Sequence, residues 1–255
     1  MIDLTASDGH KLSAYRADPS GETKGAVVVL PDVYGVSAHI RKMADKFAAE
    51  GYVAIAPSLF DRVKPGVELG YDEAGLTEGT ELSKQIEIEI ALADIQAAAD
   101  AVKSAGKVAM VGYGWGGYLA YVAGNRVPGL ACAIGYYASG VETDWREKRR
   151  VPTLLHFGEG DASIPFEEVI QFRARRPDVS AFSYPGASHG FDCDGCDGHS
   201  ADATQAAIER TLFWVSQYVV GQPPILLKNA GSYAQAKTDK KKKKADGDDL
   251  GPPPA

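Results

Sequence analysis

Lys107-Val108-Ala109-Met110-Val111-Gly112-Tyr113-Gly114-Trp115-Gly116-Gly117 is an apolar run that ends in a glycine-flanked turn. A strand is expected over 107–111, a turn over 112–116 and a helix from 117 to about 124. Many enzymes present their attacking side chain on such a strand–turn–helix elbow, with the pattern G-x-nucleophile-x-G. Here the central position is Gly114, and glycine has no atom with which to attack. The stretch decides the fold and raises the functional question together.

Working outward, short apolar runs alternate with amphipathic ones. Strands are expected over 26–30, 52–56, 130–137, 153–157 and 181–184. Between them, helical spacing of apolar residues predicts helices over 39–50, about 82–104 and 203–219. Strands alternating with helices argue an α/β fold with a mostly parallel central sheet and helices on both faces. Such a sheet binds its ligand beyond the carboxyl ends of its strands.

Composition narrows the function classes. The chain has 255 residues, 45% of them hydrophobic, enough for one sizeable core. One domain is expected over 1–220, followed over 221–255 by a connecting segment and a disordered lysine-rich tail. Residues 231–255 hold six lysines and four aspartates, a charge of +2, so the remainder carries −9 of the net −7. An acidic body argues against nucleic acid as the partner. The run of lysines over 240–244 is read as a solvated tail. No apolar run is long enough for a membrane span and the N-terminus has no signal-peptide character. A cytoplasmic protein without membrane association is expected, as a monomer or small homo-oligomer. Three cysteines make an odd count and no disulfide framework.

Two strand ends carry ionisable residues. Gly158-Glu159-Gly160-Asp161 follows one expected strand, and Ser188-His189-Gly190-Phe191 follows the last. Behind an elbow, the chain order nucleophile, acid, histidine is that of an α/β-hydrolase. In that chemistry the acid orients the imidazole and stabilises its charged form, while the histidine moves protons. An aspartate in a turn or a histidine in a loop is ordinary by itself. Their shared order behind Gly114 makes Asp161 and His189 the candidate acid and base.

At these residues the chain resembles the dienelactone hydrolases, also called carboxymethylenebutenolidases. The resemblance is carried by Leu30-Pro31-Asp32-Val33-Tyr34-Gly35-Val36, by Ala56-Pro57-Ser58-Leu59-Phe60 and by the elbow. Ile134-Gly135-Tyr136-Tyr137 and the Asp161 and His189 segments complete it. It spans about 26–215 and implies an α/β-hydrolase fold, a cysteine nucleophile on a G-x-Cys-x-G-G elbow, and ester or lactone hydrolysis without metal or organic cofactor. Carried over, Gly114 stands at the nucleophile position. The backbone N–H groups of Val33 and Trp115 fall at the oxyanion hole, and Tyr136 matches a pocket tyrosine. Asp32 falls where the family has a glutamate that contacts the resting thiol. The two arginines with which the best-described members hold a substrate carboxylate have no match. One position is Cys193 and the other falls near Glu81, so a small-molecule ester or lactone other than dienelactone is the expected substrate.

Three readings of Gly114 follow. The chain is an enzyme altered at its nucleophile, which the otherwise complete surroundings favour. Alternatively it is a non-catalytic protein that binds an ester-like or acidic metabolite in the same pocket. Or another group attacks, such as a water activated by His189. Gly114 should relieve strain, since an elbow residue with a side chain is held in a conformation costing about 1–3 kcal/mol.

Other candidates are read more plainly. Cys193-Asp194-Gly195-Cys196, with His199 nearby, has redox or zinc spacing. It lies in an acidic loop, and the loop reading is preferred. Cys132 and His156 sit in apolar strands as core residues. Glu81, Glu87 and Glu89 form a solvated face.

Overall fold

A computed structural model describes residues 1–142, 144–146 and 149–221. Met1–Gly221 forms one compact unit. The expected connecting segment and lysine-rich tail lie outside the described residues from 222 onward.

The core is an eight-stranded sheet built from β1 (Ile2–Thr5), β2 (Lys11–Ala17), β3 (Ala26–Leu30), β4 (Val53–Pro57), β5 (Val108–Tyr113), β6 (Leu130–Tyr136), β7 (Thr153–Gly158) and β8 (Ser180–Tyr184). Their spatial order is β1-β2-β4-β3-β5-β6-β7-β8. From β4 to β8 every neighbouring pair is parallel. Helices cover both faces, so the structure has the expected α/β-hydrolase architecture. Every residue of β3, β4 and β5 is buried. That is why those strands read as unbroken apolar runs rather than alternating ones.

The helices are α1 (Ala38–Ala49), α2 (Glu73–Ser83), α3 (Ile88–Val102), α4 (Trp115–Arg126), α5 (Phe166–Arg175) and α6 (Ala201–Val215). The helix expected over 82–104 is in fact the C-terminal end of one helix and the whole of another. Asp72 caps α2 by accepting from the Gly75 N–H at 2.8 Å, which satisfies one of the first-turn donors. Lys84 closes α2, and Glu87 caps the start of α3 in extended conformation. α3 is pinned by Asp94, fully buried, which accepts from Arg62 Nε at 2.9 Å and Nη2 at 2.7 Å. Removing one partner of such a buried pair would strand the other charge.

The N-terminal segment supplies β1 and β2, which extend the sheet in antiparallel sense. Their sequence has no long apolar run, because only alternate residues of β2, Leu12 and Ala14, enter the core. No helix among the described residues is long and apolar enough to cross a membrane.

The cysteine reading needs correction. Cys193 and Cys196 are joined as a disulfide, while Cys132 is a buried free thiol. The turn over 193–196 brings the two Cα atoms to 5.3 Å, within bridging range. An odd count conceals a local pair of this kind.

Candidate active site

The elbow joins β5 to α4. Gly114 has φ 52° and ψ −118°, its N–H donates to the Tyr136 carbonyl at 3.0 Å, and its carbonyl accepts from the Tyr118 N–H at 3.1 Å. The other glycines of the turn are there for packing. A Cβ on Gly112 would strike the Gly116 carbonyl, one on Gly116 the carbonyls of Leu30 and Pro31, and one on Gly117 would lie 2.7 Å from the Tyr136 oxygen. Gly114 differs from these. A Cβ there meets Asp32 Cβ at 3.3 Å, His189 Nε2 at 3.7 Å and Tyr137 Cε2 at 3.9 Å, with no backbone atom in the way. The position has a φ that would strain any residue with a side chain, and a Cβ there would fit once Asp32 yields by a few tenths of an ångström.

Asp161 and His189 come from the loops after β7 and β8. Asp161 Oδ1 accepts from the Ser163 N–H at 2.8 Å, the Ile164 N–H at 3.2 Å and the Ser163 hydroxyl at 2.6 Å. These bonds leave Oδ2 to receive His189 Nδ1 at 2.8 Å. A carboxylate accepts only, so Nδ1 is the donor in this bond, and in the neutral form of the ring Nε2 is the acceptor that faces the elbow. Burial alone would raise the Asp161 carboxyl. The bond and charge of His189, with the Ser163 hydroxyl and N–H, outweigh it and hold the group below the usual carboxylate range. Ser163 Oγ also stands 2.9 Å from His189 Nδ1. Its place two residues after Asp161 is a turn position, and nothing in its spacing marked it beforehand.

Beneath the elbow lies a second polar group. Asp32 is buried, and its Oδ1 accepts from the Tyr34 N–H at 2.9 Å. Burial pushes its carboxyl up to about 7; the Tyr34 bond works against this and the nearby Asp192 adds to it. Asp192 is also raised by burial, against the pull of His39 and of the Tyr137 hydroxyl. That hydroxyl donates to Asp192 Oδ1 at 2.6 Å, and His39 Nε2 lies 3.6 Å from Oδ2.

Tyr136, expected in the pocket, faces elsewhere. Its hydroxyl is bonded to Thr211 Oγ1 of α6 at 2.7 Å and its ring lies 4.6 Å from that of His156. The next residue stands at the elbow instead. Tyr137, with φ 35°, sets its ring 4.8 Å from His189. Successive side chains at a strand end point to opposite faces, so a one-residue step exchanges a core tyrosine for a site tyrosine. His156 is a satisfied core histidine, with Nδ1 2.7 Å from the Tyr184 hydroxyl and Nε2 3.1 Å from Thr211 Oγ1.

Trp115 is the first residue of α4, and its ring stacks on Phe60 at 5.3 Å. First-turn N–H groups have no partner within their helix. Val33 lies in the loop after β3, and Gly79 of α2 packs directly on its carbonyl. Among the described residues neither the Val33 nor the Trp115 N–H is paired with a protein acceptor. Glu81 is exposed and pairs with Lys84. Cys193 is buried within the disulfide loop, so neither it nor Glu81 supplies a positive charge.

Known proteins place this geometry in context. The model of the Dienelactone hydrolase family matches residues 12–219. The carboxymethylenebutenolidase of Pseudomonas putida is 28% identical over 221 residues, covering 83% of this chain and 93% of that protein. The crystal structure of a "putative dienelactone hydrolase" from Klebsiella pneumoniae superposes with a TM-score of 0.73 at 26% identity, over 85% of this chain and 99% of that one. A dienelactone hydrolase-like promiscuous phosphotriesterase from metagenomic libraries shares the fold, with a TM-score of 0.68 at 18% identity over 86% and 98%.

Proposed function

The chain belongs to the dienelactone hydrolase family, and we propose that its site is that of an ester or lactone hydrolase whose attacking position is occupied by Gly114. The observation that carries this reading is the aim of His189. Its Nδ1 is held by Asp161 at 2.8 Å, and its Nε2 lies 3.7 Å from where a Cβ on Gly114 would stand.

In the complete reaction a thiolate at position 114 attacks the acyl carbon. The imidazole of His189 takes the thiol proton and later gives it to the leaving oxygen, while Asp161 fixes the ring and stabilises its charge. The N–H groups of Val33 and Trp115 are the oxyanion donors, and backbone donors survive any change of side chain. Asp32 and Tyr137 line the attacking position. With glycine at 114 the covalent route is lost. In subtilisin, loss of the nucleophile alone costs about 10⁶-fold in turnover. A residual advantage of ~10³-fold over water is what donors and binding supply without it.

The substrate is a neutral small molecule. Among the described residues, the charged or polar groups acting on Asp32, Tyr34 and Tyr137 are carboxylates, phenols and His189, with no Lys or Arg. Nothing in this set carries the fixed positive charge with which an arginine would hold an anionic acyl group.

The test compares p-nitrophenyl acetate and dihydrocoumarin hydrolysis by the chain as it stands, by Gly114→Cys, and by Gly114→Cys with His189→Ala. A gain of about 10³-fold or more in the first variant, lost in the second, supports the hydrolase reading. Absence of any gain across a wider panel of esters favours a binding protein built on the same pocket.

A further inference from the structure

Gly114 is the one glycine of the elbow where a side chain would meet other side chains rather than backbone. The space beside it is bounded by His189 Nε2, Asp32 Cβ and Tyr137 Cε2, at 3.7, 3.3 and 3.9 Å from the Cβ point. The Asp161 bond directs Nε2 of His189 into it. We propose that a small diffusible thiol enters beside Gly114 and serves as the nucleophile, so that the chain transfers acyl groups from esters to thiols. This rests on the hydrolase reading of the site.

Methanethiol contains the heavy atoms of the cysteine side chain, a carbon and a sulfur. The thiol proton passes to His189 Nε2 and a carbon–sulfur bond forms at the acyl carbon. The tetrahedral oxyanion turns to the N–H groups of Val33 and Trp115. The carbon–oxygen bond then breaks, and the leaving oxygen takes the proton back from His189. The products are a thioester and an alcohol, with no change in oxidation state. A thiol is favoured over water because it is much the stronger acid, water having a pKa of about 15.7, and because sulfur is intrinsically the stronger nucleophile. Holding the two reactants together supplies the rest of the advantage.

Size separates this mechanism from general thiol reactivity. Methanethiol is close in size to the side chain that is missing here, whereas 2-methylpropane-2-thiol carries three more carbons. The experiment mixes the chain, with Gly114 in place, with p-nitrophenyl acetate and either thiol, and follows nitrophenol release and thioester formation. The expected result is a saturable, methanethiol-dependent rate about tenfold or more above that of the His189→Ala chain. Methyl thioacetate should be the product, with no such rate for the bulky thiol. Equal rates for the two chains, or equal enhancement by the two thiols, would overturn the proposal. Gly114→Cys without added thiol is the companion measurement. If it hydrolyses the ester while the unaltered chain ignores methanethiol, the thiol proposal alone fails. If it too is inert, the hydrolase reading fails and the thiol proposal with it.

Discussion

His189 turns its Nε2 to within 3.7 Å of the point where a Cβ on Gly114 would stand, although Gly114 has no atom to offer it. The geometry of an attack is present without the attacker. The glycines on either side differ from Gly114 in what a side chain would strike, and this leads to the first prediction. Gly114→Ala should fold, losing about 1–3 kcal/mol because a φ of 52° strains a residue that has a Cβ. Gly116→Ala should fail to fold, since its Cβ would meet the carbonyls of Leu30 and Pro31. Urea unfolding of the two variants checks this. Equal damage from both would mean that Gly114 is also a packing glycine.

Asp32 gives stability a pH dependence of known sign. Its folded carboxyl is raised by burial to about 7 from an ordinary value of 3.8. A raised acid favours folding fully only below its unfolded pKa, and that contribution is lost as pH climbs through the folded value. Asp32→Asn keeps an oxygen for the Tyr34 N–H and removes the titration. It should therefore gain stability relative to the unaltered chain between about pH 4 and 7, reaching roughly 3–5 kcal/mol above that. Denaturant midpoints at pH 4.5 and 8 measure it, and a constant difference would show that Asp32 does not titrate this way.

His156 works in the opposite direction. Burial, with Arg210 adding to it, lowers its pKa from 6.5 to about 3. The unfolded chain takes up a proton below pH 6.5 that the folded chain refuses, so stability falls as pH drops from about 6.5 toward 3. His156→Gln, which keeps polar atoms for Tyr184 and Thr211, should be less stable at neutral pH and show a shallower acid decline. An unchanged slope would place the acid sensitivity elsewhere.

The disulfide closes a very short loop, so its effect on the unfolded chain is small. Chain entropy gives about 2 kcal/mol for four residues. The unaltered chain should lose up to that amount in reductant, and a chain with Cys193→Ser and Cys196→Ser should not respond. Thermal melts with and without dithiothreitol show which holds. A response surviving in the double variant would assign it to another group.

Much of this was legible from the chain. The elbow and Asp161 follow β5 and β7, whose burial on both faces makes their runs conspicuous. His189 follows the edge strand β8, where only Tyr184 is buried, and was legible from its order behind the elbow. β1 and β2 were not, because strands at the sheet margin alternate and carry charge at Lys11 and Arg16. α5 was missed for a similar reason, with only Val169 and Phe172 buried in its ten residues. Tyr137 and Asp192 escaped because their roles depend on a hydrogen bond across 55 positions of sequence. No local pattern encodes such a contact. The disulfide was hidden by arithmetic on the whole chain, though the spacing of its two cysteines was plain.

The central claim is that the site performs covalent acyl transfer once position 114 bears a thiol. The most direct measurement is the intact mass of Gly114→Cys within seconds of mixing with p-nitrophenyl acetate. One acetyl group should add per chain, accompanied by a burst of nitrophenol of equal amount, and the Asp161→Asn background should slow both. A variant that folds, accepts no acetyl group at position 114 and releases no burst would contradict the account.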